Sequence, residues 1–590
     1  MLLNPDKTMF AARQMAFAAF LQRKSAPRAP HLASLTKEPP SSLRPAHTFR
    51  EWPDFRAWSV HSCRQILQDL SEETPRKNEM PAFDPIASQT VTRKPNWEPS
   101  FHHPEQEKAA GALLDHFKNR RKKRPNFLVY LMDDVGWGDM GCYGGGIAVG
   151  APTPTFDRLA AEGLKLTSCY SEPSCSPSRA TLLTGRVPNR HGLHRPPMYG
   201  EAGGLQGEIT VAELLSAAGY VTQAVGKWHV GENEVSQPQN VGFDDFYGFL
   251  SVSDMYSEWR DAYFFPEIAY SEARTQWVKN MPFNRCFVHA KKGGKTQNVE
   301  EVTIPVLSLL DDKWCAYSSE FIRGMAKADQ PWFLYHNTRG AHFDNYPHEK
   351  FLGKSPARHP YKDTLLELDD VLARLVAVLR ETGQLEDTLI FISSDNGPHM
   401  ETWPDSAFTP FRCAKGSTWE GGVRVPGIVY WPGTIAAGRQ SDGIFDFNDI
   451  LPTLLAIAGV EDGLPTDRYI DGVDQSSFLL APDGLSNRKF HYYWLTETFS
   501  ALRCGEYKMV LSATSDDATD AFGPGGFTGV LERYAYAKLF NLYLDPKEQH
   551  NYMTRKLAYL DAFQAGIRHH LRTFAAFPPK KVMGQALSRG

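Results

Sequence analysis

Residues 127–134 read FLVYLMDD, and this stretch decides the fold class. A short, continuous apolar run of this kind is typical of a strand that is buried on both faces of a parallel sheet. Asp133 and Asp134 follow the run directly. Ligands of parallel α/β sheets bind outside the carboxyl ends of the strands, so both acids stand where a site is expected.

Three further apolar runs lead into polar residues in the same way. They are VTQAV at 221–225 before Lys227 and His229, WFLY at 332–335 before His342, and TLIFI at 388–392 before Asp395 and Asn396. Between the last two runs, leucines recur at steps of three and four, which predicts a helix that ends at Gly383. Strands that alternate with helices predict an α/β fold with a large, mostly parallel sheet sandwiched by helices.

The chain changes character at both ends. From about residue 488 onward, short aromatic runs with rough alternation predict a smaller C-terminal subdomain with a short antiparallel sheet, a further strand at 539–544 and a helix over 558–574. We therefore predict an N-terminal extension of unknown role, partly disordered, at 1–123, a catalytic domain at 124–475, a C-terminal subdomain at 476–577 and a tail at 578–590.

The composition of the 590 residues excludes several classes of protein. Hydrophobic residues make up 42% and charged residues 22%, which is ordinary globular usage and rules out a mainly disordered or fibrous chain. A net charge of −4 argues against nucleic acid as a partner. No apolar run reaches the roughly 18 residues of a membrane helix, so we expect no transmembrane segment. The N-terminus carries no convincing signal peptide, which leaves the compartment open between cytoplasm and export, and the oligomeric state is open too.

A helix predicted over residues 104–119 is followed by the basic run KNRRKKR at 118–124. Such a run can bind an anionic partner, but it is more often a solvated linker or a segment that flanks a strand.

The polar residues at the strand ends predict a metal site. Asp133, Asp134, Asp395 and Asn396 offer only oxygen ligands, which favour Ca²⁺, with Mg²⁺ as the other ion of this class. An asparagine in place of a fourth acid keeps the site from becoming too negative for an anionic substrate.

A second signal is Cys175-Ser-Pro-Ser-Arg179 at the start of a predicted helix. A helix N-terminus favours an anion, and the Arg179 guanidinium suits a tetrahedral oxyanion. A lone cysteine is usually a small buried hydrophobe, but this position points to a reactive or modified cysteine beside an anion.

Several motifs occur here in a fixed order from about residue 125 to about 575. They are Asp133-Asp134-x-Gly136-x-Gly138-Asp139, Thr153-Pro154, Cys175-x-Pro-Ser-Arg179 with Thr184-Gly185-Arg186, Gly226-Lys227-Trp228-His229, Ser394-Asp395-Asn396-Gly397 and Lys415-Gly-x-x-x-Glu420-Gly-Gly-x-Arg424-x-Pro426. With this ordered set the sequence resembles the formylglycine-dependent, arylsulfatase-like sulfatases of the alkaline-phosphatase superfamily. Where the family usually has Pro-His, this sequence has Ala341-His342, so the motif supports the assignment of His342 less strongly than the others.

The resemblance implies the site and its chemistry. Asp133, Asp134, Asp395 and Asn396 would hold one Ca²⁺, with Cys175, oxidised to formylglycine by a maturation enzyme, as a further ligand. The aldehyde hydrates to a diol, of which one hydroxyl attacks sulfur, with Asp395 as the natural activating carboxylate, while the other allows sulfate to be released.

The remaining roles follow from the same resemblance. Lys227 and Lys415 would neutralise the sulfate oxygens, and His342 would protonate the departing alcohol. His229 and Arg179 would help to hold the diol.

The leading hypothesis is therefore hydrolysis of a sulfate monoester, of an aryl alcohol or a carbohydrate, with a sulfated small molecule or glycan as substrate. The alternatives are a phosphonate monoester or phosphodiester hydrolase of the same superfamily and a non-catalytic binding protein on this scaffold. We hypothesise that the aromatic-rich insertion at about 250–305 forms a wall of the pocket and favours an aromatic or ring-shaped leaving group. The alternative is that these aromatic residues simply pack over the sheet.

Overall fold

The main sheet of the protein is built around the apolar run of residues 127–132. In the computed structural model, which describes residues 90–579 except 198–200, 259, 264–265, 274–275, 277–284, 401–406 and 516–528, this run lies in a fully buried strand. The strands of the main sheet are β1 (Asn126–Met132), β2 (Leu164–Tyr170), β3 (Val221–Lys227), β4 (Asp245–Phe249), β5 (Cys286–Lys291), β6 (Gln297–Glu301), β7 (Trp332–Asn337), β8 (Thr388–Ser394), β9 (Arg424–Tyr430), β10 (Arg439–Ser441) and β11 (Phe445–Asp446).

The order of these strands is β10-β2-β9-β8-β1-β7-β3-β4-β5-β6, and β11 also pairs with β2. The central strands β8, β1, β7, β3 and β4 are all parallel to their neighbours within this group. Antiparallel pairing occurs where β9 joins β8 and β2, and where β5 and β6 extend the other side. The predicted α/β class with a mostly parallel central sheet is confirmed.

Helices cover both faces of this sheet. The described α-helices are α1 (Pro104–Arg121), α2 (Pro154–Glu162), α3 (Cys175–Thr184), α4 (Pro188–His191), α5 (Val211–Ala217), α6 (Asp254–Ser257), α7 (Ile304–Leu307), α8 (Leu310–Met325), α9 (Pro360–Glu381), α10 (Glu420–Val423), α11 (Ile450–Ala458), α12 (Ser476–Leu480) and α13 (Leu560–Ala576). Alternate residues of β1 enter two different apolar cores, since Val129 packs in one and Tyr130 in the other. This alternation is the reason why the whole run is apolar.

The predicted C-terminal subdomain contains a second sheet, which is antiparallel. Its strands are β12 (Phe490–Leu495), β13 (Thr498–Cys504), β14 (Tyr507–Thr514) and β15 (Leu531–Asn541), in that order. Residues 539–541 of the strand expected at 539–544 are the end of a longer strand that begins at Leu531, whereas residues 542–544 form a turn. Helix α13 lies two residues further along the chain than predicted.

The end of the predicted extension packs against the rest of the protein, whereas residues 1–89 lie outside the described residues. The Glu98 carboxylate accepts hydrogen bonds of 2.9 Å from the hydroxyls of Tyr469 and Tyr492. From the basic run, Arg121 and Lys123 contact the Asp387 carboxylate at 2.7 and 2.8 Å. The domain limits themselves stay a prediction.

The insertion at about 250–305 contributes to the sheet as well as to its surface. It supplies β5 and β6, which form one end of the strand order. Of its aromatic residues, Tyr256 is buried against Phe249, and Tyr263 and Tyr270 are about four-fifths exposed. Within the described part of the chain, we find no helix with the length and apolarity that crossing a bilayer requires.

Candidate active site

The strand order brings the predicted polar residues to one edge of the sheet. The four strands β8, β1, β7 and β3 are neighbours, and their carboxyl ends carry the Asp395–Asn396 pair, the Asp133–Asp134 pair, the segment leading to His342, and Lys227. The side chains meet although they are far apart in sequence, since Lys227 Nζ lies 2.6 Å from Asp133 Oδ2. This edge is the candidate active site.

Each of the three carboxylates at this edge is paired with a cation. Besides the Lys227–Asp133 pair, Lys415 Nζ lies 2.7 Å from Asp134 Oδ1, and Arg179 Nη2 lies 2.8 Å from Asp395 Oδ2. All these side chains are buried. The charges of these six side chains therefore balance, and a divalent cation added to them makes the site positive and attractive to an anion.

Cys175 begins α3 and faces these groups. Its Sγ lies 3.6 Å from Asp133 Oδ1, and the side chain is buried. Burial raises the pKa of the thiol, and the Asp395 carboxylate adds to this while the lysines oppose it. Arg179, one helical turn further, also donates to the Asn337 side-chain oxygen at 2.9 Å, which fixes α3 against β7.

The oxygen donors of the site, from Asp133, Asp134 and Asn396, suit a hard divalent cation, and Cys175 and His342 lie in the same group. One ligand atom each of Asp133, Asp134, Cys175 and His342 lies within 4.8 Å of all the others. Two ligands of one Ca²⁺ are separated by at most about twice its bond length of about 2.3–2.6 Å, so this spacing suits a single ion. Asn396 Oδ1 is buried and accepts no hydrogen bond from the described residues, which leaves it available as a further oxygen ligand.

Asp134 and His229 both adopt a left-handed backbone conformation, with φ of 59° and 58°. Non-glycine residues in this region carry strain, which is concentrated at functional sites. Both ring nitrogens of His229 are buried and accept or donate no hydrogen bond among the described residues. Burial, with Lys227 and Arg179 nearby, lowers the pKa of His229 well below its usual value, so the imidazole is neutral.

His342 lies at the open side of the same group. Its Nδ1 is 2.7 Å from the Phe343 carbonyl oxygen, to which it donates, and its Nε2 is 3.6 Å from Asp134 Oδ2. The weaker motif at Ala341-His342 thus still delivers an imidazole to the site.

Two residues that the sequence did not single out also reach this site. His399 Nδ1 lies 4.0 Å from Asp134 Oδ2, and Asp254 Oδ1 lies 3.9 Å from His342 Nδ1. The position of His399, three residues after Asn396, was a usable signal. Asp254 lies in the insertion that the sequence indicated as a pocket wall, but no motif distinguished this residue within it.

A second buried acid–histidine group, formed by Glu98, Asp471 and His570, is structural. Trp494 Nε1 donates to His570 Nε2, which is therefore an acceptor, so the proton of the neutral imidazole is on Nδ1. Arg190 occupies both oxygens of Asp471. A protonated Nδ1 and a guanidinium in the same place disfavour a metal ion.

Comparison with known protein families agrees with this geometry. The family described as Sulfatase matches residues 125–460, and the one described as Putative sulfatase AslA C-terminal domain matches residues 500–575. The chain is 32% identical to N-acetylgalactosamine-6-sulfatase of Canis lupus familiaris over 482 residues, which cover 77% of this chain and 87% of that protein. It is 34% identical to arylsulfatase A of Homo sapiens over 443 residues, which cover 72% and 83%.

Solved structures give the same result. The crystal structure of PsFucS1 sulfatase from Pseudoalteromonas sp. superposes with a TM-score of 0.81 at 40% sequence identity, over 84% of this chain and 99% of that one. The predicted resemblance is confirmed: the chain belongs to the sulfatase family and is a sulfate ester hydrolase.

Proposed function

We propose that this sulfatase hydrolyses a carbohydrate or aryl sulfate monoester with a formylglycine made from Cys175 and one divalent cation, Ca²⁺ or Mg²⁺. Asp133, Asp134, Asp395 and Asn396 would hold the cation. The observation that carries the proposal is the set of three buried carboxylate–cation pairs around the first residue of α3. The names of the relatives cover both classes of leaving group, since one set acts on a sulfated amino sugar and another is an arylsulfatase.

The lysines bind the sulfate group. Lys227 and Lys415 are buried and point their ammonium groups toward Asp133 and Asp134 from two sides. An ester sulfate between them exchanges hydration for two charge-assisted hydrogen bonds, which strengthen as negative charge develops on its oxygens. When bound, the cation supplies Lewis acidity and the formylglycine supplies the nucleophilic hydroxyl.

The histidines and Arg179 complete the site. His342 donates its Nδ1–H to the Phe343 carbonyl, so Nε2 is the nitrogen that can first take up a proton and then pass it to the leaving oxygen. Arg179 fixes the Asp395 carboxylate through Nε at 3.0 Å and Nη2 at 2.8 Å. His229, unpartnered and neutral, is the free hydrogen-bonding group next to position 175.

The Cys175→Ala variant tests this proposal. We expect a folded protein without turnover of 4-nitrophenyl sulfate, because the precursor of the nucleophile is gone. Cys315→Ala is the matched control, since Cys315 is equally buried but packs against Val371 in α9, away from the site. Full activity in Cys175→Ala contradicts the mechanism.

Mass spectrometry of the peptide that contains position 175 tests the modification directly. Conversion to formylglycine removes H₂S and adds one oxygen atom. An active preparation in which this peptide is entirely unmodified cysteine overturns the role of formylglycine, even if sulfate is released.

A further inference from the structure

Asp254, in the insertion between β4 and β5, is an acidic side chain that the proposed mechanism does not use. It begins α6, and its carboxylate Oδ1 lies 3.9 Å from His342 Nδ1. Oδ1 is buried and accepts no hydrogen bond from any described residue, although about 20% of the side chain as a whole is exposed. The carboxylate therefore has acceptor capacity left beside the group that meets the leaving oxygen.

The position of Asp254 relative to His342 is fixed by contacts of α6. Ser253 Oγ donates to the Phe343 carbonyl at 3.2 Å, and Ser257 Oγ donates to Asp344 Oδ2 at 3.4 Å. Both acceptors belong to the segment that carries His342. Helix α6 and this segment are thus held together as one wall, with Asp254 on it.

The Asp254 carboxyl lies within electrostatic reach of the two lysines proposed to bind sulfate. Burial raises the pKa of this carboxyl to about 7, and the largest opposing influences are the charges of Lys227 and Lys415. No described Lys or Arg lies within salt-bridge distance of it, and its one ion-pair contact is His342. An unpaired carboxylate in an enclosed site is costly unless a ligand supplies a hydrogen bond.

Aromatic rings lie on the same wall as Asp254, next to His342. The Phe343 ring lies 4.4 Å from the His342 ring and 5.0 Å from the His399 ring, measured between centroids. Phe343 and His399 are partly exposed. Polar groups at fixed positions together with aromatic faces are what a site for a hydroxylated ring requires.

We infer that Asp254 accepts a hydrogen bond from a hydroxyl on the carbon next to the sulfated carbon, and so selects sulfate esters of sugars over those of apolar alcohols. The inference rests on the proposed function. Oxygens on neighbouring ring carbons lie close together, so a hydroxyl next to the oxygen at His342 Nε2 lies near the wall that carries Asp254. An apolar leaving group leaves this carboxylate desolvated and unpaired, and a second anionic group at this position is repelled.

Matched model esters test the inference without knowledge of the natural sugar. The probes are cyclohexyl sulfate and the cis and trans isomers of 2-hydroxycyclohexyl sulfate, with sulfate release measured by ion chromatography. We expect the wild-type protein to show a kcat/KM about 10- to 100-fold higher for one hydroxylated isomer than for cyclohexyl sulfate, the usual effect of a hydrogen bond to a charged group.

Variants then assign this preference to Asp254. In Asp254→Ala the preference should fall to near unity, and in Asp254→Asn it should be intermediate, because the amide still accepts a weaker hydrogen bond. Glu258→Gln is the matched control, since Glu258 is the acid one helical turn further along the same segment and also affects the Asp254 carboxyl electrostatically. It should keep the wild-type preference.

The possible failures are distinguishable with 4-nitrophenyl sulfate as a third substrate. If Asp254→Ala and Asp254→Asn hydrolyse it but keep the wild-type preference for the hydroxylated ester, the role of Asp254 is refuted and the sulfatase mechanism stands. A wild-type protein that hydrolyses cyclohexyl sulfate and both hydroxylated isomers equally also refutes that role. If the wild-type protein releases no sulfate from any of the esters, the proposed function itself fails, and this inference with it.

Discussion

The Gly226→Ala substitution tests whether the close contact between β3 and β7 holds the cations of the site in place. Gly226 has a φ of +90°, and a Cβ built on it lies 1.7 Å from the Asn337 carbonyl oxygen. Gly226 immediately precedes Lys227, and the Asn337 side chain accepts a hydrogen bond from Arg179. A shift at this contact therefore reaches both Lys227, which we propose to bind sulfate, and the guanidinium that contacts Asp395.

Gly219 provides a matched control for the magnitude. It has the same φ of +90°, but a Cβ there meets nothing within 4 Å. In both variants the left-handed conformation costs about 1–2 kcal/mol for a non-glycine residue. In Gly226→Ala the carbon–oxygen contact must in addition open from 1.7 Å to about 3.4 Å, the lower limit of ordinary contact.

Such a movement has two consequences. We expect Gly226→Ala to lose about 2–5 kcal/mol of unfolding free energy, the sum of the conformational cost and of about 1–3 kcal/mol for overpacking. A displacement of about 1 Å near reacting groups lowers the rate about 100-fold, so kcat/KM should fall at least that far. Gly219→Ala should keep wild-type activity.

The assays are urea unfolding followed by tryptophan fluorescence and initial rates with 4-nitrophenyl sulfate. Equal unfolding midpoints and equal activities for the two variants would refute the reasoning, because the two glycines share the same φ and differ in what surrounds the added carbon.

Two further predictions concern the charges of the site and its support. Lys508→Met should destabilise the protein by about 3–5 kcal/mol in urea unfolding, because it leaves the buried carboxylates of Glu420 and Glu548 without this ammonium group, five residues after Lys415 in the case of Glu420. In contrast, Lys313→Met removes an exposed ion pair, in which Lys313 Nζ lies 2.8 Å from Glu300, and should cost at most about 1 kcal/mol of unfolding free energy. Equal losses in the two variants would contradict a stabilising role of the buried Lys508 ion pairs. Removal of the divalent cation with a chelator should abolish sulfate release, and addition of Ca²⁺ or Mg²⁺ should restore it. If a preparation that is free of metal by elemental analysis keeps full activity, a role for the ion is excluded.

The fold class and the candidate residues could be read from local sequence. A parallel strand buried on both faces must be apolar throughout, so β1 and β8 are visible as runs that end where acids begin. The motif at Cys175 is equally local, since a helix start, a cysteine and an arginine one turn later are all within five residues. These features depend on the backbone and on near neighbours, which sequence patterns report.

Other features depend on contacts between distant segments. The strands follow the chain order β1, β3, β7, β8 but lie in space as β8-β1-β7-β3, so the meeting of Asp133 with Lys227 needs the sheet to be assembled. The pairing of Lys415 with Asp134, 281 residues away, is of the same kind. No periodicity in the sequence encodes which cation faces which carboxylate.

The sequence by itself determined the doubly wound α/β fold class, the sulfatase family and the set of candidate site residues, because those signals lie in short motifs and in apolar runs that packing requires. The tertiary structure alone decided that the three carboxylates are charge-balanced, that residues 90–123 pack on the core, and that Asp254 from the insertion stands beside His342. These are outcomes of long-range packing, in which a helix of four residues is positioned by hydrogen bonds to a loop almost ninety residues further along the chain.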